Sequence, residues 1–255
     1  MTSRDVAPLG APCWVDLITS DVAGTKEFYG RLFGWVAEEA DAQFGGYFNF
    51  TRDGQRVAGC MGMQPFMAMS DVWSVYLASD DAQKTVEAAG ANGGQVRVEP
   101  MAVADLGTMA VVTDAGGAGI GLWQPGVFPG FTTLGEPGAP AWFELLTRDY
   151  DGAIAFYRDV FHWETHAVTD TPGFRYTTMV NGEEWLAGIM DASGFLPDGV
   201  PSHWAVYFGV DNADAAVAKV VELGGSVVQP PEDTPYGRLT EVADPYGAHF
   251  KLIQP

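Results

Sequence analysis

From Cys13 to Ile18 the side chains sort onto two faces. Val15 and Leu17 fall on one and Trp14, Asp16 and Ile18 on the other, the period of two that marks a strand. The period then changes. Asp21 is placed to accept a bond from an unpaired backbone N–H at a helix start, Phe28 and Leu32 stand an i,i+4 step apart on one helix face, and Gly34 supplies the stop. Residues 47–52 and 56–61 read as strands around Asp53-Gly54, a pair that tolerates positive φ and closes a tight hairpin. The result is one βαβββ unit. A second follows, with a strand over 73–77, a helix from Asp80 and Asp81 through Ala89, a turn at Gly93-Gly94, and strands over 109–113 and 119–124. Residues 125–140 are rich in Pro and Gly, lack periodicity and read as a linker.

The whole pattern then repeats. Adding 128 to each position from 14 to 35 gives a gap-free match, with nine identities: Trp14/Trp142, Leu17/Leu145, Thr19/Thr147, Asp21/Asp149, Gly24/Gly152, Phe28/Phe156, Tyr29/Tyr157, Phe33/Phe161 and Trp35/Trp163. Asn181-Gly182 takes the place of Asp53-Gly54, Trp204 that of Trp73, Gly224-Gly225 that of Gly93-Gly94, and Asp244 that of Asp114. The expected fold class is therefore α+β, four βαβββ units in two tandem domains, over 1–125 and 140–255 with a linker over 126–139.

Thirteen Lys and Arg against thirty-three Asp and Glu give a formal charge of -20, which repels nucleic acid and anionic lipid; neither is an expected partner. Cys13 and Cys60 are the only cysteines and belong to no CxxC or Cys/His cluster, so a reducing cytoplasm fits better than a disulfide framework or a structural zinc site. Residues 1–10 show no apolar signal core, and no apolar run approaches membrane-spanning length. The expectation is a cytoplasmic protein, monomer or homodimer, that meets a small molecule.

Asp21, Phe28-Tyr29 and Phe33-Gly34-Trp35, the matching set from Asp149 to Trp163, and the closing stretch from Asp244 through Gly247 to Ile253 resemble the vicinal oxygen chelate superfamily of glyoxalase I, bleomycin-resistance proteins, fosfomycin-resistance enzymes and extradiol dioxygenases. The likeness covers nearly the whole chain and is nearest to tandem glyoxalase-like proteins found beside natural-product genes. It implies paired βαβββ units curled into half-open barrels whose hollow holds a metal ion or a ligand. Metal-dependent members draw His and Glu ligands from the first and last strand of each unit. The corresponding positions here are Trp14, Ser74, Trp142 and Ala205, then Gly121 and Lys251, with 59–61 and 188–190 in the other two units. None is a His or a carboxylate, so neither metal nor cofactor is expected. In the family's swapped arrangements unit one pairs with unit four. Asp16 would then share a hollow with His203, His249 and Lys251, and Glu144 would share the other with Ser74 and the glycines.

Strand alternation names the faces that line such a hollow. Trp14, Asp16, Ile18, Ser74, Tyr76 and Trp123 come from the first half, and Trp142, Glu144, Leu146, His203, Ala205, Tyr207, His249, Lys251 and Ile253 from the second. Trp14, Tyr76, Trp123, Trp142, Tyr207 and Lys251 are the candidate ligand contacts. Asp16 and Glu144 are inward carboxylates that must meet a ligand, water or a donor across the barrel, and an aromatic hollow favours their neutral form, as general acid or base work can require. His203 and His249 are either satisfied strand residues or their partners in proton transfer. His162 and His166 follow a helix end and read as exposed or structural. Gly116, Gly117, Gly119 and Gly121 either bend the last strand of the second unit or leave one hollow open.

Three functions follow. One is a metal-free enzyme of natural-product metabolism using Asp16 or Glu144, with His203 or His249, in an isomerisation, cyclisation or hydration. Another is a binding protein that sequesters an apolar or aromatic toxin, as bleomycin-resistance proteins do. The third is a divalent-metal lyase or dioxygenase with displaced ligands. No Gly-rich phosphate loop, GxSxG elbow or Cys/His nucleophile pair is present.

Overall fold

The computed structural model describes residues 2–3, 6–65 and 70–255. After β1 (Thr2–Ser3), the first unit runs β2 (Pro12–Thr19), α1 (Val22–Phe33), β3 (Val36–Ala37), β4 (Phe48–Arg52) and β5 (Gln55–Gly62). The second runs β6 (Val72–Ala78), α2 (Ala82–Ala91), β7 (Gln95–Val103), β8 (Gly107–Thr113) and β9 (Gly119–Pro125). Past β10 (Thr133–Leu134), the third holds β11 (Pro140–Thr147), α3 (Tyr150–Phe161), β12 (Glu164–Thr171), β13 (Phe174–Asn181) and β14 (Glu184–Asp191). The fourth holds β15 (His203–Gly209), α4 (Ala213–Glu222), β16 (Ser226–Thr234), β17 (Gly237–Ala243) and β18 (His249–Gln254). The architecture is the expected α+β one, four βαβββ units in two tandem halves.

The units join in chain order. One sheet runs β3-β4-β5-β2-β6-β9-β8-β7 and the other β12-β13-β14-β11-β15-β18-β17-β16. The seams are antiparallel: Asp16 lies opposite Ser74 across β2 and β6, and Glu144 opposite Ala205 across β11 and β15. Unit one thus completes its sheet with unit two, and the swapped pairing with unit four is not adopted. Only residues 63–71 separate β5 from β6, so the neighbouring strand is the one close at hand. Asp16 consequently does not share a sheet with His203, His249 or Lys251; Glu144 does.

Units one and four meet through their helical faces instead. Phe28 and Phe33 on α1 pack against Phe250, with ring centroids 6.4 and 6.1 Å apart, and Phe33 lies 5.3 Å from Phe208. Trp73 also reaches Phe208, at 5.1 Å, so one aromatic core spans both halves. Two polar clasps cross it. The Tyr29 hydroxyl donates to Asp244 Oδ2 at 3.0 Å and accepts from Trp73 Nε1 at 3.1 Å. Its repeat Tyr157 donates to Asp114 Oδ2 at 3.2 Å and accepts from Trp204 Nε1 at 2.8 Å. Each half therefore supplies the tyrosine for the other half's aspartate. Trp35 and Trp163 are used alike, donating to the carbonyls of Gly138 and Gly10 at 2.7 and 2.9 Å.

Caps behave as their residue types require. Asp21 accepts from Gly24 N at 3.0 Å, and Gly34 closes α1 at φ 74°. In α3 the same left-handed stop falls on His162, at φ 58°. The first hairpin turns on Asp53 and Gly54, both at positive φ. The second is shifted by one: Asn181 pairs with Glu184, so Gly182 and Glu183 form the turn and only Gly182 has positive φ. The linker is also more ordered than its composition suggests. Thr133 and Leu134 pair with Ser3 and Thr2, and Phe128 and Phe131 pack against Trp14.

Candidate functional site

The side of each sheet opposite the helices carries the candidate chemistry. On β2, Val15 and Leu17 are fully buried toward the helices while Asp16 stays partly open on the other face. Asp16 Oδ1 accepts from Trp14 Nε1 at 2.8 Å and from the Tyr47 hydroxyl at 2.7 Å, and the Tyr76 hydroxyl bonds to the same carboxyl. Trp14 Nε1 is itself 2.9 Å from the Tyr47 oxygen. Burial pushes the Asp16 carboxyl above its ordinary range, and the bonds from Tyr47, Tyr76 and Trp14 oppose the rise. Burial and the Asp16 charge push both tyrosines well above theirs, so they are donors and not phenolates.

Two glycines make the cluster possible. A Cβ on Gly59 would collide with the Tyr47 hydroxyl and Asp16, and one on Gly121 would enter the Tyr76 ring. Gly121 therefore does not leave a hollow open, because Tyr76 leans over it. Gly116 and Gly117 lie in the turn before β9, outside the strand. The expected ligand contacts Trp14 and Trp123 are covered at one end by the linker: Phe128 sits edge-on to Trp14 at 4.8 Å and to Trp123 at 5.9 Å, and Trp123 Nε1 donates to the Phe128 carbonyl at 2.8 Å.

The second half repeats the arrangement with one exchange. Trp142 Nε1 donates to the Tyr176 hydroxyl at 2.9 Å, Tyr176 bonds to Glu144, and Gly188 makes room for the Tyr176 oxygen. Glu144 Oε2 accepts from the Tyr207 hydroxyl at 2.7 Å and from Lys251 Nζ at 3.0 Å. Glu144 is only 3% exposed and already holds its counter-ion. Of the histidines, His203 Nδ1 lies 2.9 Å from the Pro201 carbonyl and His249 Nδ1 2.9 Å from Glu241 Oε1. Their bonds thus go to groups other than Asp16 and Glu144. The bond to Glu241 raises the His249 imidazole above its ordinary range. Burial alone would raise Glu241, but the bond from His249 and the charges of Lys251, His249 and His203 hold it low.

Tyr47, Tyr176 and Phe128 are absent from the sequence-based candidates. The two tyrosines stand 129 apart, like Gly59 and Gly188, so a paired aromatic and glycine one step off the main repeat interval was the available signal. Phe128 had none, because nothing local shows where a linker residue folds back.

A divalent ion needs several converging nitrogen or oxygen donors. The first face offers one carboxylate among phenols and an indole; on the second, Glu144 is already paired with the Lys251 ammonium and Glu241 with His249. Among the described residues no three His, Cys, Asp or Glu side chains are grouped to hold a metal. This donor set does not fit a divalent ion.

Tandem βαβββ pairs whose open sheet faces carry the polar groups define the glyoxalase-like class. The model of the Glyoxalase/Bleomycin resistance protein/Dioxygenase superfamily matches residues 13–122 and 139–252, and the chain belongs to that superfamily. It is 38% identical over 260 residues to CFP32 of Mycobacterium tuberculosis, a protein provisionally named a glyoxylase, covering 100% of this chain and 98% of the relative. It is also 38% identical to the anthracycline biosynthesis protein DnrV of Streptomyces peucetius, over 96% of this chain and 93% of that one. Among solved structures, the Mn(II)-bound glyoxalase of Novosphingobium aromaticivorans superposes with a TM-score of 0.66 at 16% identity, over 96% of this chain and 82% of that one. The 2,3-dioxygenase LapB of Pseudomonas sp. KL28 gives 0.66 at 14%, over 97% and 93%. These last two establish likeness of fold alone. Among the described residues no helix is long and apolar enough to cross a membrane.

Proposed function

We propose that the chain binds an apolar or aromatic small metabolite on the open sheet face of its first half, without a metal ion, and uses Asp16 to move a proton in an isomerisation, cyclisation or hydration. The observation that carries this reading is Asp16, a half-buried residue whose carboxyl is raised by burial and held by Trp14, Tyr47 and Tyr76, with no cation beside it among the described residues. A carboxyl so placed gives and takes a proton nearer neutrality than a solvated one. Tyr47 and Tyr76 stay protonated and orient it. The donor set argues against a metal route, and kinship with a protein named for anthracycline biosynthesis supports an aromatic natural product as the ligand class. The second half, its carboxylate neutralised by Lys251, supports the fold and does no chemistry. We assign the protein to the cytoplasm, with a small molecule as its partner.

Native mass spectrometry of protein purified without chelator or metal-affinity tag tests the metal. A stoichiometric divalent ion overturns the metal-free reading, and a co-purifying metabolite identifies the substrate to assay. With that substrate, Asp16→Asn is expected to keep its affinity and lose turnover by about 10²–10⁴-fold, the usual share of a general acid or base. Binding by the wild type with no chemical change would replace the enzyme reading with sequestration.

A further inference from the structure

The two open faces are one construction with a single exchange of charge. Asp16, Tyr47, Gly59, Tyr76 and Gly121 answer to Glu144, Tyr176, Gly188, Tyr207 and Lys251, and the strand registers equate them: Asp16 pairs with Gly59 as Glu144 does with Gly188, and Tyr76 with Gly121 as Tyr207 does with Lys251. In the second half Lys251 sets an ammonium 3.0 Å from Glu144, 3.0 Å from the Tyr207 hydroxyl and 4.9 Å from the centre of the Tyr207 ring. That is a complete ammonium site of carboxylate, phenol oxygen and π face. In the first half the carboxylate, the phenol and the ring are present, the Tyr76 ring lies over Gly121, and the last strand brings no charge to Asp16. Asp16 stays partly open where Glu144 is sealed.

We infer that the first face is completed by a cation the ligand brings, a protonated amine on an apolar or aromatic body, whose ammonium bonds to Asp16 as Lys251 bonds to Glu144. This rests on the proposal that the first face takes a small molecule. The chain's own lysine is thus the internal copy of the ligand group. A net charge of -20 draws cations toward the whole surface, and Asp16 makes the attraction local. An amine also suits the donor set better than a metal ion, since it asks for one carboxylate and a ring and not a shell of converging ligands.

The test compares 2-phenylethylammonium with its neutral isostere 2-phenylethanol, followed by the Trp14 indole N–H in ¹H–¹⁵N spectra of the whole protein. The ammonium is expected to bind at least about tenfold more tightly, the scale of one charge-assisted bond. Asp16→Asn should reduce it to the level of the alcohol and leave the alcohol unchanged. Equal binding of the two probes by wild type overturns the cation and spares the aromatic-ligand proposal. An ammonium preference that survives Asp16→Asn overturns it too, as general surface charge. Binding of neither probe sinks both. Lys251→Ala gives a second arm that does not depend on how Asp16→Asn folds. Removing the built-in ammonium should leave a variant whose melting temperature rises with n-butylammonium chloride but not with sodium chloride at equal ionic strength. Equal response to both salts shows that this geometry does not accept a free amine, and counts against the inference.

Discussion

Lys251 and Glu144 share a nearly dry spot, their side chains 14% and 4% exposed and their charged atoms 3.0 Å apart. A buried charge without its partner is costly, whereas two matched charges roughly cancel their own desolvation. Lys251→Met is therefore expected to cost about 3–5 kcal/mol in urea unfolding, and the double variant Glu144→Gln/Lys251→Met to recover most of it. His249 and Glu241 make a more exposed pair with a testable pH signature. The folded imidazole titrates above its ordinary value of 6.5, so its contribution to stability is full below that pH and is lost as pH rises through the higher folded value. Glu241 is shifted the other way, and its contribution fades as pH falls below the carboxylate range. Proton NMR should show the His249 ring titrating above 6.5, and Glu241→Gln should return it to about 6.5. That Asp16 and Glu144 lie on the face away from the helices was legible from strand alternation alone. Their partners were not, since Tyr47 and Tyr176 arrive from strands whose pairing is a tertiary matter.

Helix ends and turns were the most legible elements, because their signals are local. Asp21 and Gly34 do what an acidic cap and a left-handed stop require. The two copies of that stop make a natural comparison: Gly34 sits at φ 74° and His162 at φ 58°. His162→Gly should stabilise the protein by about 0.5–1 kcal/mol in thermal or urea unfolding, and Gly34→Ala should destabilise it by a similar amount, since a Cβ strains that backbone. Strands β7 and β16 were harder to read. Register shifts at Val96/Val98 and Val98/Met101 interrupt the alternation of β7, and Pro100 falls inside it. The shifted second hairpin shows the same limit at shorter range. Gly182 takes the positive φ alone, so Asn181 is free to end its strand.

At the scale of the molecule, the repeated residues that reveal the superfamily mostly hold the halves together. Tyr29, Tyr157, Trp163 and Asp244 bond across the boundary between them, and Trp35 bonds to the linker at Gly138. A match of residue types could show that there are two halves, but not that each reaches into the other. Tyr29→Phe leaves Asp244 and the Trp73 N–H short of a partner in the shared core, and is expected to cost about 1–3 kcal/mol. Because that core is common property, calorimetry should show one unfolding transition that moves as a unit in Tyr29→Phe, and two separable transitions would contradict the shared-core account.

The crossed clasps also bear on how such a chain can be inherited. A half taken from a relative would bring its own tyrosine and its own aspartate, and both must find counterparts on the half that stayed behind. Exchange of a single half succeeds only where donor and host agree at four residues and in the aromatic packing around them. The open sheet faces carry no such obligation to each other. One copy can carry an internal ammonium and the other none, which leaves a duplicated chain with a constrained seam and two surfaces free to diverge.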